Sequence, residues 1–141
     1  MVEVENLVID KIDKRLRAEG LTVNLSSVGE RTPSSFPAVS IYEADNYSYR
    51  KTQDDVSREH HASLMYSVNV YSNKKRGAKE EAKKIFSVVD DELQSFKFTR
   101  TSMIPDANQD NSIYRIVARY EAVVAQGQEI DGDTIYQVYR K

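Results

Sequence analysis

The chain contains no cysteine. That removes disulfides, zinc–thiolate centres and thiol nucleophiles, and it fits a reducing compartment or an assembly that needs no covalent staple. A charge excess is also missing: 20 basic side chains against 22 acidic ones leave a formal net charge of -2 and a pI near 5.7. No strong basic field therefore exists to gather nucleic acid over the whole surface. No apolar run approaches the ~20 residues that cross a bilayer. The amino-terminal stretch MVEVENLVIDKIDKRL carries acid where a signal peptide has a basic start and an unbroken apolar core. A protein made and kept in a cytoplasm, without a membrane partner, is the expectation. The phosphate loops G-x-G-x-x-G and G-x-x-x-x-G-K-[ST] are absent, as are G-x-S-x-G and H-E-x-x-H. With no nucleophile or base at a recognisable spacing, the expectation is a protein that is not an enzyme and takes no cofactor.

What is present is a patterned chain of 141 residues, 40% hydrophobic and 30% charged, long enough for one core. Val4, Leu7, Val8, Ile12 and Leu16 recur at helical spacing, and Gly20 stands as a stop signal. Val39 and Ile41 share one face of a short strand. Leu64, Tyr66, Val68 and Val70 alternate with Met65, Ser67 and Asn69, the period of a strand with one buried face. Ala78, Ala82, Ile85, Phe86, Val89 and Leu93 return to helical spacing, with Gly77 as N-cap and Glu80 in the first turn. A strand over 97–104 ends at Pro105, and DANQDN makes a turn. A long strand over 112–125 carries Tyr114, Ile116, Ala118, Tyr120, Ala122 and Val124 on its core side, with Ile113, Arg115, Val117, Arg119 and Glu121 opposite. QGQEIDGD reads as a linker by composition, and TIYQVYRK as a last short strand.

The expected order is α-β-β-α-β-β plus a strand-like tail: an α+β two-layer sandwich, a mainly antiparallel four-stranded sheet with two helices on one face. Residues 1–125 form a single domain with a long loop over 43–60, and residues 126–141 are a linker and tail.

Several side-chain groups invite a chemical reading and then lose it. His60 and His61 are strand neighbours that point to opposite faces. Asp106, Asn108 and Asp110 start like a calcium loop, but Asn111 and Val117 stand where glycine and a bidentate glutamate are required. Asp90, Asp91 and Glu92 fan around a helix axis instead of converging. No metal site is expected. Lys74, Lys75, Arg76, Lys79, Lys83 and Lys84 form the one basic cluster, interrupted by Glu80 and Glu81. It reads as a solvated helix face with (i, i+4) pairs such as Glu80–Lys84. A nucleic-acid-binding α+β module is the alternative.

The remaining signal is the connection between the second and third elements. A hairpin turns in two to five residues. This connection is far longer, with Tyr42, Tyr47, Tyr49, Arg50 and Arg58 in and around it. Connections of that length are commonly functional or disordered, and disordered segments are poor in aromatics. Tyr and Arg are the side chains that protein interfaces favour, so the expectation is an arm that contacts protein.

The amino-terminal helix, FPAVSIYE, the charged arm, HASLMYSVNVYS, the helix KEEAKKIFSVVDDEL and the strand IYRIVARYEAVV together resemble the tail terminator (tail completion) proteins of long-tailed phages and prophages. The resemblance covers residues 4–125 and rests on the order and character of segments. It implies a virion structural protein, made in the host cytoplasm, that assembles as a hexameric ring at the head–tail junction. Such a ring caps the tail tube and offers the head attachment surface. The implied partners are the tail tube protein, a head completion protein and other copies of the chain, and DNA passes through the lumen without specific binding. Another head–tail connector or minor tail component is the alternative in the same class. Interface candidates are Tyr47, Tyr49, Arg50 and Arg58 on the arm, with Arg115 and Arg119 on the last long strand as the acceptor.

Overall fold

A computed structural model describes residues 5–27, 33–48, 61–107, 113–130 and 133–139; for 45–48, 61–62, 106–107, 124–130 and 133–139 only the backbone is described. Helix α1 spans Glu5–Ala18 and buries Val8, Ile12 and Leu16, spaced four apart on one stripe. It stops where Gly20 takes φ 73°. The Gly20 N–H then donates to the Arg17 carbonyl and the Leu21 N–H to the Leu16 carbonyl. This is the paired-bond ending that an αL residue permits. Helix α2 spans Ala78–Ser95, starts from Gly77 at φ 84°, and buries Ala82, Ile85, Phe86, Val89 and Leu93. Its end uses the same pair of bonds, Lys97 N–H to Gln94 O and Phe98 N–H to Leu93 O, but the αL residue is Lys97 at φ 71°. Arg15 ties the helices together, bonding Glu19 Oε1 at 3.1 Å and Glu92 Oε2 at 3.0 Å.

The strands are β1 (Asn24–Ser26), β2 (Ala38–Ser48), β3 (His61–Ser72), β4 (Thr99–Ala107), β5 (Tyr114–Ile130) and β6 (Asp133–Tyr139). They form one six-stranded sheet in the order β1-β2-β3-β5-β4, with β6 also paired to β5. β1 is parallel to β2 and every other pair is antiparallel. β3 and β4 therefore run parallel with β5 between them, and α2 is the crossover. β4 pairs with Tyr114–Glu121 of β5, and β6 pairs with Val123 onward on the edge opposite β3, so β4 and β6 lie end to end. Ser48, Ala62, Val124 and Val138 form one row across four strands. The β2–β3 and β5–β6 connections thus leave the sheet at the same end, and the β3–α2 turn leaves at the other.

The α+β class and the two helices on one face match the sequence expectation; the four-stranded sheet does not. Asn24-Leu25-Ser26 adds a parallel edge strand that three residues are too few to announce. β2 continues to Ser48, six residues into the stretch 43–60 read as loop, because β3 supplies a pairing partner for a polar segment of weak β pattern. Gln126–Ile130, read as linker, continues β5 because β6 pairs with it. Pro105 lies inside β4 instead of ending it; an edge strand tolerates a residue that cannot donate to the ladder. The DANQDN turn and His60 fall mostly outside the described residues.

The core lies between helices and sheet. Val39 and Ile41 of β2, Leu64, Tyr66, Val68 and Val70 of β3, and Ile116, Ala118, Tyr120 and Ala122 of β5 meet the buried stripes of α1 and α2. A smaller cluster of Ala38, Tyr71 and Ile113, with Phe36 against it, sits on the opposite face.

Candidate protein interface

One face of the sheet is covered by helices; none of the described helices covers the other. Alternation puts Ala38, Ser40 and Tyr42 of β2, Ser63, Met65, Ser67, Asn69 and Tyr71 of β3, and Arg115, Val117, Arg119, Glu121 and Val123 of β5 on that second face. Its floor is made of small polar residues: Ser40, Ser63, Ser67 and Asn69 are each at most 2% exposed. Longer side chains stand over them. Arg115 donates from Nε and Nη2 to Asn69 Oδ1, at 3.2 and 2.7 Å, while its guanidinium lies 5.4 Å from the centre of the Tyr71 ring. Asn69 passes the link on through Nδ2 to Ser67 Oγ. Arg115 is thus held flat in a network that keeps buried polar atoms satisfied.

Arg119 differs. Its side chain is exposed, and among the described residues its Nη1 meets only the sulfur of Met65, at 3.7 Å, a weak acceptor. Among the described residues it has no carboxylate partner. Ile104 extends this face on β4 and is 58% exposed. Ser63 Oγ is buried with no hydrogen-bond partner among the described residues. A standard interface takes about 800 Å² per partner, close to a tenth of the 8706 Å² exposed here.

The structure puts Arg115 and Arg119 on the same face of β5, two pleat repeats apart with Val117 between them. Register places Tyr47 beside Ser63, which pairs in turn with Val123 of β5, so Tyr47 belongs to the end of the sheet from which the arm departs. Tyr49, Arg50 and Arg58 lie outside the described residues.

Two of the strands that reach the sheet edge, β2 beyond β1 and β4, are guarded. On β2 the Glu43 N–H donates to Glu5 Oε2 of α1 at 3.3 Å, and a bulge follows between Glu43 and Asp45. On β4 a bulge falls between Arg100 and Ser102, and Pro105 removes a donor. Bulges, prolines and capped donors prevent edge-to-edge pairing.

Two further groups were not legible in the sequence. Asp90 of α2 accepts from the Tyr120 hydroxyl, from Gln94 Nε2 at 2.9 Å and from Arg100 Nη1 at 3.2 Å, so the acids at the end of α2 serve the fold. Burial, and then the Asp90 carboxylate, push the Tyr120 hydroxyl well above its ordinary pKa. Tyr66 is raised as well, by burial first and then by Glu43 and Glu5, yet its hydroxyl has no partner among the described residues. Nor do the expected (i, i+4) pairs form on the basic turn: Glu81 Oε1 instead takes the Ser72 hydroxyl at 2.8 Å, and Glu80 makes no ion pair with Lys84 among the described residues. Among the described residues no three acidic, histidine or cysteine side chains converge to hold a metal ion, and no helix is long and apolar enough to cross a membrane.

Neither the protein-family models nor the curated proteins contain a match to this chain. The interface residues therefore rest on geometry and on the segment pattern alone.

Proposed function

We propose that the chain is a tail terminator subunit of a long-tailed phage or prophage. In this proposal it forms a ring on the tail tube and presents the surface to which the head attaches. Contact between subunits uses the helix-free face of the sheet as acceptor, around Arg119 and Arg115, and the arm that leaves β2 after Ser48 as the reaching element. The observation that carries this reading is the division of labour on the sheet. The edge is blunted along β2 beyond β1 and along β4, which disfavours extension of the sheet from one copy to the next at those strands. Among the described residues the second face instead holds an exposed arginine with no carboxylate and a buried serine hydroxyl with no hydrogen-bond partner. Arginine is the side chain that gains most when a partner supplies a planar acceptor.

A ring needs heterologous contacts, one patch meeting a different patch on the neighbour. An arm at one end of the sheet and a flat acceptor face beside it satisfy that requirement. Electron microscopy of the concentrated protein, alone and with purified tail tubes, should show six-fold rings or capped tube ends. A protein that forms no ring by itself and leaves tube ends bare refutes the proposal.

A further inference from the structure

The other end of the molecule carries a different surface. Residues 74–84 hold six cationic side chains against two carboxylates, a net charge of +4 in a chain whose total is -2, so the other 130 residues carry -6. Lys74, Lys75 and Arg76 occupy the turn after β3; Lys79 and Lys83 follow on α2, one helical turn apart, with Lys84 beside them. All six are exposed, and none is paired with a carboxylate among the described residues. The two acids in the segment are turned to local tasks. Glu81 holds Ser72. The Glu80 carboxylate folds back over the start of α2, where Oε2 lies 3.7 Å from the place a Cβ on Gly77 would occupy, and so meets the positive end of the helix itself.

Lys74, Lys75 and Lys79 also border an open cleft of about 560 Å³ whose wall includes Ile113 and Tyr114. Concentrating like charges costs free energy that no internal pair recovers here. The chain bears that cost at one place, on the end opposite to the arm.

We infer that this basic turn is a contact surface for the phosphate backbone of duplex nucleic acid. The chemistry favours backbone over bases. Tyr66, Tyr71 and Tyr120 are buried, and the ring that borders these lysines in the cleft is the half-buried Tyr114, a single ring where stacking of successive unstacked bases takes several. Exposed lysines on a turn and a helix flank meet phosphates as point charges and carry no sequence information. A duplex also presents phosphates densely, one charge per about 1.7 Å of axis, so several cations clustered on one turn and the following helix can meet it at once. The inference does not depend on the ring, and it concerns the end of the sheet remote from Tyr47.

Fluorescence anisotropy with a labelled 30-base-pair duplex of arbitrary sequence tests this. If about four phosphates are neutralised, log affinity should fall against log salt with a slope near -3.6, about a 150-fold loss between 50 and 200 mM salt. Lys75→Gln/Lys79→Gln/Lys83→Gln should flatten that slope by about 2.7 and weaken binding at 50 mM. A charge-matched control on α1, Lys11→Gln/Lys14→Gln/Arg17→Gln, should leave both unchanged, with circular dichroism confirming that both variants are folded. The same titration against labelled poly-glutamate serves as the acidic-protein arm. Absence of duplex binding at 50 mM, equal loss in the α1 control, or binding to poly-glutamate without binding to duplex overturns the inference.

Discussion

Tyr66 and Tyr120 make opposite predictions for the same chemical change. Both side chains are fully buried in the core, so replacing either with phenylalanine removes one hydroxyl and little apolar contact. Tyr66 keeps its edge-on packing against Phe98, with ring centres 5.4 Å apart. The Tyr120 hydroxyl donates to Asp90, a bond to a charged acceptor worth about 1.5–3 kcal/mol. Asp90 retains Gln94 and Arg100 after the change, so no buried charge is stranded and the cost stays in that range. The Tyr66 hydroxyl has no hydrogen-bond partner among the described residues; deleting a buried, unsatisfied hydroxyl removes a desolvation penalty of about 1–3 kcal/mol. For 141 residues the unfolding entropy is about 0.3 kcal/mol/K, so each kcal/mol moves Tm by about 3–4 °C. Tyr120→Phe should lower Tm by about 5–10 °C, and Tyr66→Phe should raise it by about 3 °C or more. Calorimetry, together with urea unfolding at unchanged m-value, measures both. Equal losses for the two variants, or a neutral Tyr120→Phe, would refute the assignment of partners.

The same two hydroxyls set an alkaline limit. Their folded pKa values lie above the ordinary 10 because burial disfavours the phenolate, so folded tyrosine stays protonated while unfolded tyrosine ionises. Stability from this source is complete below pH 10 and falls above it by up to about 1.4 kcal/mol per pH unit per tyrosine; urea midpoints at pH 9 and 10.8 should show the drop, and Tyr120→Phe should lessen it. Lys97 ends α2 at φ 71°, a conformation that costs a residue with a Cβ about 1 kcal/mol, so Lys97→Gly should stabilise by about 0.5–1 kcal/mol in the same unfolding assay. Replacing residues 49–58 with a short glycine-serine turn should leave Tm and circular dichroism intact and abolish rings in electron micrographs; assembly that survives the change removes the arm from the interface.

Much of the helix-facing half of the protein is legible in the chain. Leu64, Tyr66, Val68 and Val70, and then Ile116, Ala118, Tyr120 and Ala122, are the buried positions that a period of two selects. The stripes of α1 and α2 follow the period of 3.6, although Leu7, which fits that stripe, is 44% exposed. What is not legible depends on partners distant in sequence. Gln126–Ile130 has the composition of a linker and becomes strand only because β6 returns along it. Asp90 sits where the helix dipole disfavours acid and is kept by Tyr120 and Arg100, 30 and 10 residues away. On the second face, Ser40, Ser67 and Asn69 look solvent-bound in the sequence. They are buried under longer neighbours, with Arg115 reaching Asn69 across 46 positions. Of the interface candidates, alternation puts Arg115 and Arg119 on one face, but only the structure shows that Arg115 is held by Asn69 while Arg119 meets no carboxylate among the described residues.

That separation permits a direct test of the proposed assembly. Arg119→Glu reverses an exposed charge whose only described contact is the Met65 sulfur, so the subunit should fold with unchanged Tm. Electron microscopy of this variant beside the unaltered protein, each alone and with tail tubes, should show six-fold rings or capped tubes for the unaltered chain and dispersed subunits for the variant. Rings formed equally by both, or by neither, would contradict the assignment of the bare sheet face as the surface that joins one subunit to the next.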